Sequence, residues 1–145
     1  MPLIQYFPII VSLFAIAFVI YLVMQVSKAP AAKDKAVAIT AAIQEGANSY
    51  LKRQSKTVGV VAIILFIALM FMGWKLAIGF LIGAVLSGLS GFIGMWVSTR
   101  ANTRVAEGAK RGLGFALDLS FKGGLITGLM VVSLGLLSVA GYYFL

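Results

Sequence analysis

Four carboxylates make up the whole acidic inventory of this chain: Asp34, Glu45, Glu107 and Asp118. They are scattered along 145 residues, whereas acid–base catalysis or divalent-metal binding needs carboxylates that converge on one point. With neither Cys nor His present, thiol nucleophiles, imidazole bases and the usual Zn2+ ligand sets are excluded. Glu45, within Gln44-Glu45-Gly46-Ala47-Asn48, sits on a helical stretch that leads into an apolar span. It reads as a solvated surface carboxylate, with a ligand or gating role as the alternative. Asp118 is placed either to accept hydrogen bonds near the start of the fourth span or to pair with Lys122, four residues on. Arg100 and Arg104 are also four apart and share a helix face, where they suit anionic lipid headgroups, with docking of an anionic substrate as the alternative. No G-x-x-x-x-G-K-[ST] phosphate loop occurs, and Gly112-Leu113-Gly114 follows no strand pattern. No residue is therefore assigned a catalytic, cofactor-binding or metal-binding role.

The elements that carry these groups are apolar. The chain is 61% hydrophobic and 11% charged, against roughly 45–50% and 25% in soluble domains. About 20 apolar residues suffice to cross a bilayer core. That length predicts an all-α integral membrane protein, one membrane domain over residues 1–145, with spans at about 3–26, 57–74, 76–97 and 124–145. Ala29-Pro30-Ala31 mimics a signal-peptidase site, but the first run lacks a basic leader and is too long for a signal peptide. A helix is expected from Ala31 straight into the second span, on the order of 60 Å long, so that its first half projects from the bilayer. Gly73-Trp74-Lys75 is expected to be a tight turn. Residues 98–123 read as a polar connector with helical tendency at 103–117.

Small residues recur every three or four positions in the third span, at Gly79, Gly83, Ser87, Ser90, Gly91, Gly94 and Ser98. The fourth span repeats the pattern at Gly124, Thr127, Gly128, Gly135 and Ser138. Lipid tails are as apolar as Leu, so membrane helices associate through such seams, and these two spans are expected to be neighbours. Eleven of the 12 basic residues fall in connectors 27–56 and 98–123, and Lys75 alone lies between the second and third spans. The positive-inside rule then places both connectors in the cytoplasm and both termini outside. The net charge of +8 is explained by topology, and nucleic acid is not expected as a partner. With no Asp, Glu, Lys, Arg or His within the spans, the four helices alone lack an ion relay.

Two stretches carry a family resemblance: residues 42–54, AIQEGANSYLKRQ, leading into a span, and residues 87–95, SGLSGFIGM, followed by 98–104, STRANTR. Together with the region from Phe121-Lys122-Gly123-Gly124 to Leu137, this resembles the N-terminal part of membrane-bound inorganic pyrophosphatases, over nearly the whole chain. Trp96 and Thr103 depart mildly from that pattern. The resemblance implies a pump that hydrolyses pyrophosphate with Mg2+, and K+ in some members, to drive H+ or Na+ outward across the membrane, in prokaryotes the inner membrane of the cell. It also implies a homodimer of many-span subunits in which the first four helices belong to an outer ring. The aspartate-rich substrate motifs lie on later helices, and no Asp-x-x-x-Asp cluster occurs here. The resemblance thus implies a scaffold portion, inactive alone and binding no Mg2+ or K+ itself, whose partners are the bilayer and the remaining helices. The apolar finish at Gly141-Tyr142-Tyr143-Phe144-Leu145 agrees with a truncated chain. The alternative is a complete four-span accessory protein without enzymatic activity; a small transporter ranks below both.

Overall fold

The computed structural model describes residues 3–31 and 35–144, with side chains at 6–31 and 37–144. It contains four helices: α1 (Leu3–Lys28), α2 (Lys35–Met72), α3 (Trp74–Ala109) and α4 (Leu113–Tyr143). All four are long and apolar enough to cross a membrane. The expected helix start at Ala31, and the acid Asp34, meet residues 32–34, which lie outside the described residues.

The turns between the helices have local causes. Lys28-Ala29-Pro30 ends α1, because Pro restricts the residue before it to extended backbone. α1 also carries Pro8 inside the helix. Four residues on, the buried Ser12 hydroxyl donates to the Pro8 carbonyl at 2.7 Å, satisfying its own polar group in an apolar setting. α2 is continuous for 38 residues, about 57 Å at 1.5 Å per residue, with Gly46 and Gly59 accommodated inside it. Gly73, at φ 157°, and Gly112, at φ 127°, make the two short turns. These positive φ values strain residues that carry a Cβ.

Residues 98–123 are helical over more of their length than the expected tendency at 103–117: α3 continues to Ala109 and α4 starts at Leu113, so only 110–112 leave the helical path. Charged side chains at 100, 104, 107, 110 and 111 therefore lie on the last turns of α3 and in the turn after it.

α3 and α4 form the central pair, α1 packs on α4 and touches α3, and among the described residues α2 packs only on α3. The buried cluster joins Val19, Leu22 and Val26 of α1 to Val97 and Ala101 of α3 and to Ile126, Met130 and Leu134 of α4. No residue of the most apolar stretch of α2 is buried. At one end of the bundle Tyr6 stacks on Phe144, ring centroids 5.3 Å apart, and Lys75 lies beside Tyr142 and Tyr143. The other end carries Lys28 and the basic turn after α3. The α2–α3 and α3–α4 pairs are antiparallel hairpins, so successive helices run in opposite directions.

Candidate functional site

The charged end of the bundle is built around Arg104. α1 stops at Lys28, and the last carbonyls of a helix have no partner within it. The guanidinium of Arg104 supplies one. Its Nη2 donates to the Ser27 carbonyl at 3.0 Å and its Nε to the Ala29 carbonyl at 3.1 Å, with a longer 3.5 Å contact from Nη1 to the Arg100 carbonyl on its own helix. A cation at this position also complements the negative end of the α1 dipole. Arg104 therefore fastens the end of α1 to the projecting turn of α3.

Arg100 does not join it. Its guanidinium carbon lies 3.9 Å from the centroid of the Trp96 ring, and Nη1 donates to the Trp96 carbonyl at 3.2 Å. The i, i+4 spacing of Trp96 and Arg100 was readable in the sequence; the Arg104 cap joins residues more than seventy positions apart and was not. Arg100 is thus engaged on its own helix, whereas Arg104 is committed to α1.

The acids are equally separated. Asp118 accepts from Lys122 Nζ at 2.7 Å, the second of its two expected roles, and Glu107 accepts from Lys110 Nζ at 2.7 Å. Both pairs are local to one helix. Glu45 is exposed on α2. Among the described residues no three His, Cys, Asp or Glu side chains approach closely enough to hold a metal ion. This donor set does not fit Mg2+ with pyrophosphate, which needs several oxygen ligands together.

The glycine seam divides into two faces. Gly79 faces the Tyr142 ring, Gly83 the Ser138 hydroxyl, Gly94 the Thr127 side chain and Gly108 the Phe115 ring, while Gly123 of α4 faces the Ala101 methyl. These pairs hold one antiparallel register along the full α3–α4 contact. A methyl group built on Gly94 would lie 2.9 Å from Thr127 Cγ2, so this crossing depends on the missing side chain. Ser90 is buried in the same contact, its hydroxyl donating to the Ser87 carbonyl. Gly88 and Gly91 instead line a cavity of about 520 Å3 between α2 and α3. A second cavity, about 400 Å3, opens between α3 and α4 near the charged end and is lined by Ser98, Asn102, Ser120 and Thr127 among others.

Comparison with known proteins follows this geometry. The family model described as inorganic H+ pyrophosphatase matches residues 13–145. The K(+)-insensitive pyrophosphate-energized proton pump of Methanosarcina mazei is 39% identical over 137 residues, covering 92% of this chain and 20% of that protein. The K(+)-insensitive pyrophosphate-energized proton pump 2 of Moorella thermoacetica is 39% identical over 144 residues, 97% of this chain and 21% of the relative. The K(+)-stimulated pyrophosphate-energized sodium pump of Thermotoga maritima is 36% identical over 137 residues, 92% and 19% respectively. The chain thus spans about a fifth of the length of the curated relatives it matches.

Proposed function

The chain belongs to the inorganic H+ pyrophosphatase family, and on that premise we propose that it is the N-terminal, four-helix scaffold of a pyrophosphate-driven ion pump. The observation that carries the reading is the match itself, which takes in more than nine-tenths of this chain while occupying a fifth of pumps for two different ions. A segment shared by proton and sodium pumps is suited to architecture common to both.

The division of labour follows from the side chains. Glu107 and Asp118 are engaged by lysines on their own helices, and Glu45 stands apart on α2. The chemistry on pyrophosphate, with Mg2+ and in some members K+, belongs in this reading to the remainder of the pump. The four helices contribute a membrane-embedded wall, and Arg104 fixes its charged end. The spans at about 3–26, 57–74, 76–97 and 124–145 form one membrane domain in the cell membrane of a prokaryote. The basic connectors face the cytoplasm and both termini face outward, and the assembled pump is a homodimer.

The test is ion uptake. Inside-out vesicles carrying the full-length protein are expected to accumulate H+ or Na+ when pyrophosphate is added, and vesicles carrying residues 1–145 alone are expected not to. Uptake absent from the full-length protein in both ion assays would overturn the pump reading.

A further inference from the structure

Positive charge gathers at one level of the bundle with too little negative charge to answer it. Arg104 bonds to the carbonyls of Ser27 and Ala29, so the backbone of Lys28 lies beside its guanidinium. Arg100 stands one turn earlier on α3, and Gly123 of α4 packs against Ala101, which brings Lys122 to the same level. Of these four cations only Lys122 has a carboxylate partner among the described residues. Asp34, outside the described residues, is a single acid among Lys28, Lys33 and Lys35, so the connector adds positive charge on balance.

The depth of this level decides what the cations meet. At 1.5 Å per residue, about 33 Å separate Tyr6 from Lys28 on α1, about 38 Å separate Lys75 from Arg100 on α3, and about 32 Å separate Lys122 from Tyr143 on α4. A bilayer is about 30 Å thick across its hydrocarbon and about 40–45 Å with its headgroups. With the aromatic end of Tyr6, Trp74 and Tyr143 at one interface, the four cations fall among the headgroups of the opposite leaflet. The change on α3 is abrupt. Val97 belongs to the buried apolar cluster, Trp96 is 41% exposed, and the Arg100 guanidinium lies over the Trp96 ring, 3.9 Å from its centroid. An indole at the acyl boundary suits that depth. Among the described residues the Arg100 guanidinium makes one hydrogen bond, to the Trp96 carbonyl, which leaves N–H groups of its fork for a phosphate.

We propose that Lys28 and Arg100 form a site for the phosphate of one anionic phospholipid, at the charged end where α1 meets α3, with the Trp96 ring against the upper part of its acyl chains. Arg104 already holds the end of α1 against α3, so both cations stand within reach of one headgroup. The preference is for a net negative lipid: a zwitterionic headgroup brings an ammonium into a region that is already positive, whereas an anionic one relieves the repulsion among the cations. The site rests on the membrane-spanning helices and is independent of the pump reading.

The experiment offers delipidated full-length protein in detergent either phosphatidylglycerol or phosphatidylcholine with the same acyl chains, and counts the lipids retained per chain by native mass spectrometry. The parent is expected to retain phosphatidylglycerol in preference. Lys28→Gln combined with Arg100→Gln is expected to weaken that binding at least about fivefold, with one phosphatidylglycerol fewer retained per chain. Lys28→Gln alone changes an exposed side chain and is expected to shift binding in the same direction, so the result does not depend on how well the double variant folds. Lys75→Gln, at the opposite end, is expected to leave binding unchanged. Equal retention of phosphatidylglycerol by the parent and both Lys28 variants, or equal retention of the two lipids by the parent, would overturn the proposal. Displacement of phosphatidylglycerol by inorganic phosphate at millimolar concentration would assign the cations to a free anion and overturn it equally.

Discussion

Arg104 and Ala29 stand 75 residues apart in the chain and 3.1 Å apart in space, guanidinium Nε to backbone carbonyl. With the second bond to Ser27, the contact makes one side chain of α3 the cap of α1. A charged donor on an otherwise unpartnered carbonyl is stronger than a neutral one. Arg104→Gln is expected to lower the stability of the chain by about 1–2 kcal/mol. Arg104→Lys, which lacks the planar fork, should fall between the two. Denaturation of the detergent-solubilised chain by SDS measures both, and equal stability of all three proteins would show that the cap contributes nothing.

Gly94 lets α3 approach α4 closely at Thr127. Gly94→Leu is expected to force the helices apart and cost about 1–3 kcal/mol, in the range of an overpacked contact. Gly91→Ala points into the open cleft, where no atom meets the added methyl, and is expected to change stability little. The same SDS titration distinguishes them, and the contrast between two glycines three residues apart is the informative quantity.

Asp118 and Lys122 form a short ion pair, yet the Asp118 side chain is 52% exposed. Screened pairs of this kind contribute a few tenths of a kcal/mol. Asp118→Asn is accordingly expected to shift stability by less than about 0.5 kcal/mol and to leave pyrophosphate hydrolysis by the full-length protein within about twofold of the parent, a difference of roughly 0.4 kcal/mol in the barrier. A larger loss of activity would give Asp118 a role in the chemistry.

The proposed orientation is open to direct labelling. A cysteine at Lys110, in the basic turn after α3, is expected to react with membrane-impermeant maleimide only when the cytoplasmic face is exposed. One at Lys75 should react only from the opposite side. The reverse pattern would invert the topology.

Much of this architecture was legible in the sequence because it rests on local periodicity. The four apolar runs, the uninterrupted α2, the turn at Gly73 and the Asp118–Lys122 pair each follow from residues within a few positions of one another. Two features did not follow. A helix turning every 3.6 residues spreads small residues over a broad arc, so the seam of α3 could not be divided in advance into a face closed by α4 and a face open beside α2. The Arg104 cap depends on where α1 ends in space relative to α3, which no local spacing encodes. The helical path through residues 98–109 was also underestimated, since apolar patterning fades where a helix enters water although its backbone hydrogen bonds continue.

The central claim is that these helices support a pyrophosphate pump without themselves performing its chemistry. The most direct measurement is phosphate release from pyrophosphate, with Mg2+ present, by residues 1–145 and by the full-length protein reconstituted side by side in the same lipid. The expected result is release by the full-length protein and none above protein-free vesicles by residues 1–145. Pyrophosphate-dependent release by residues 1–145 alone would contradict it.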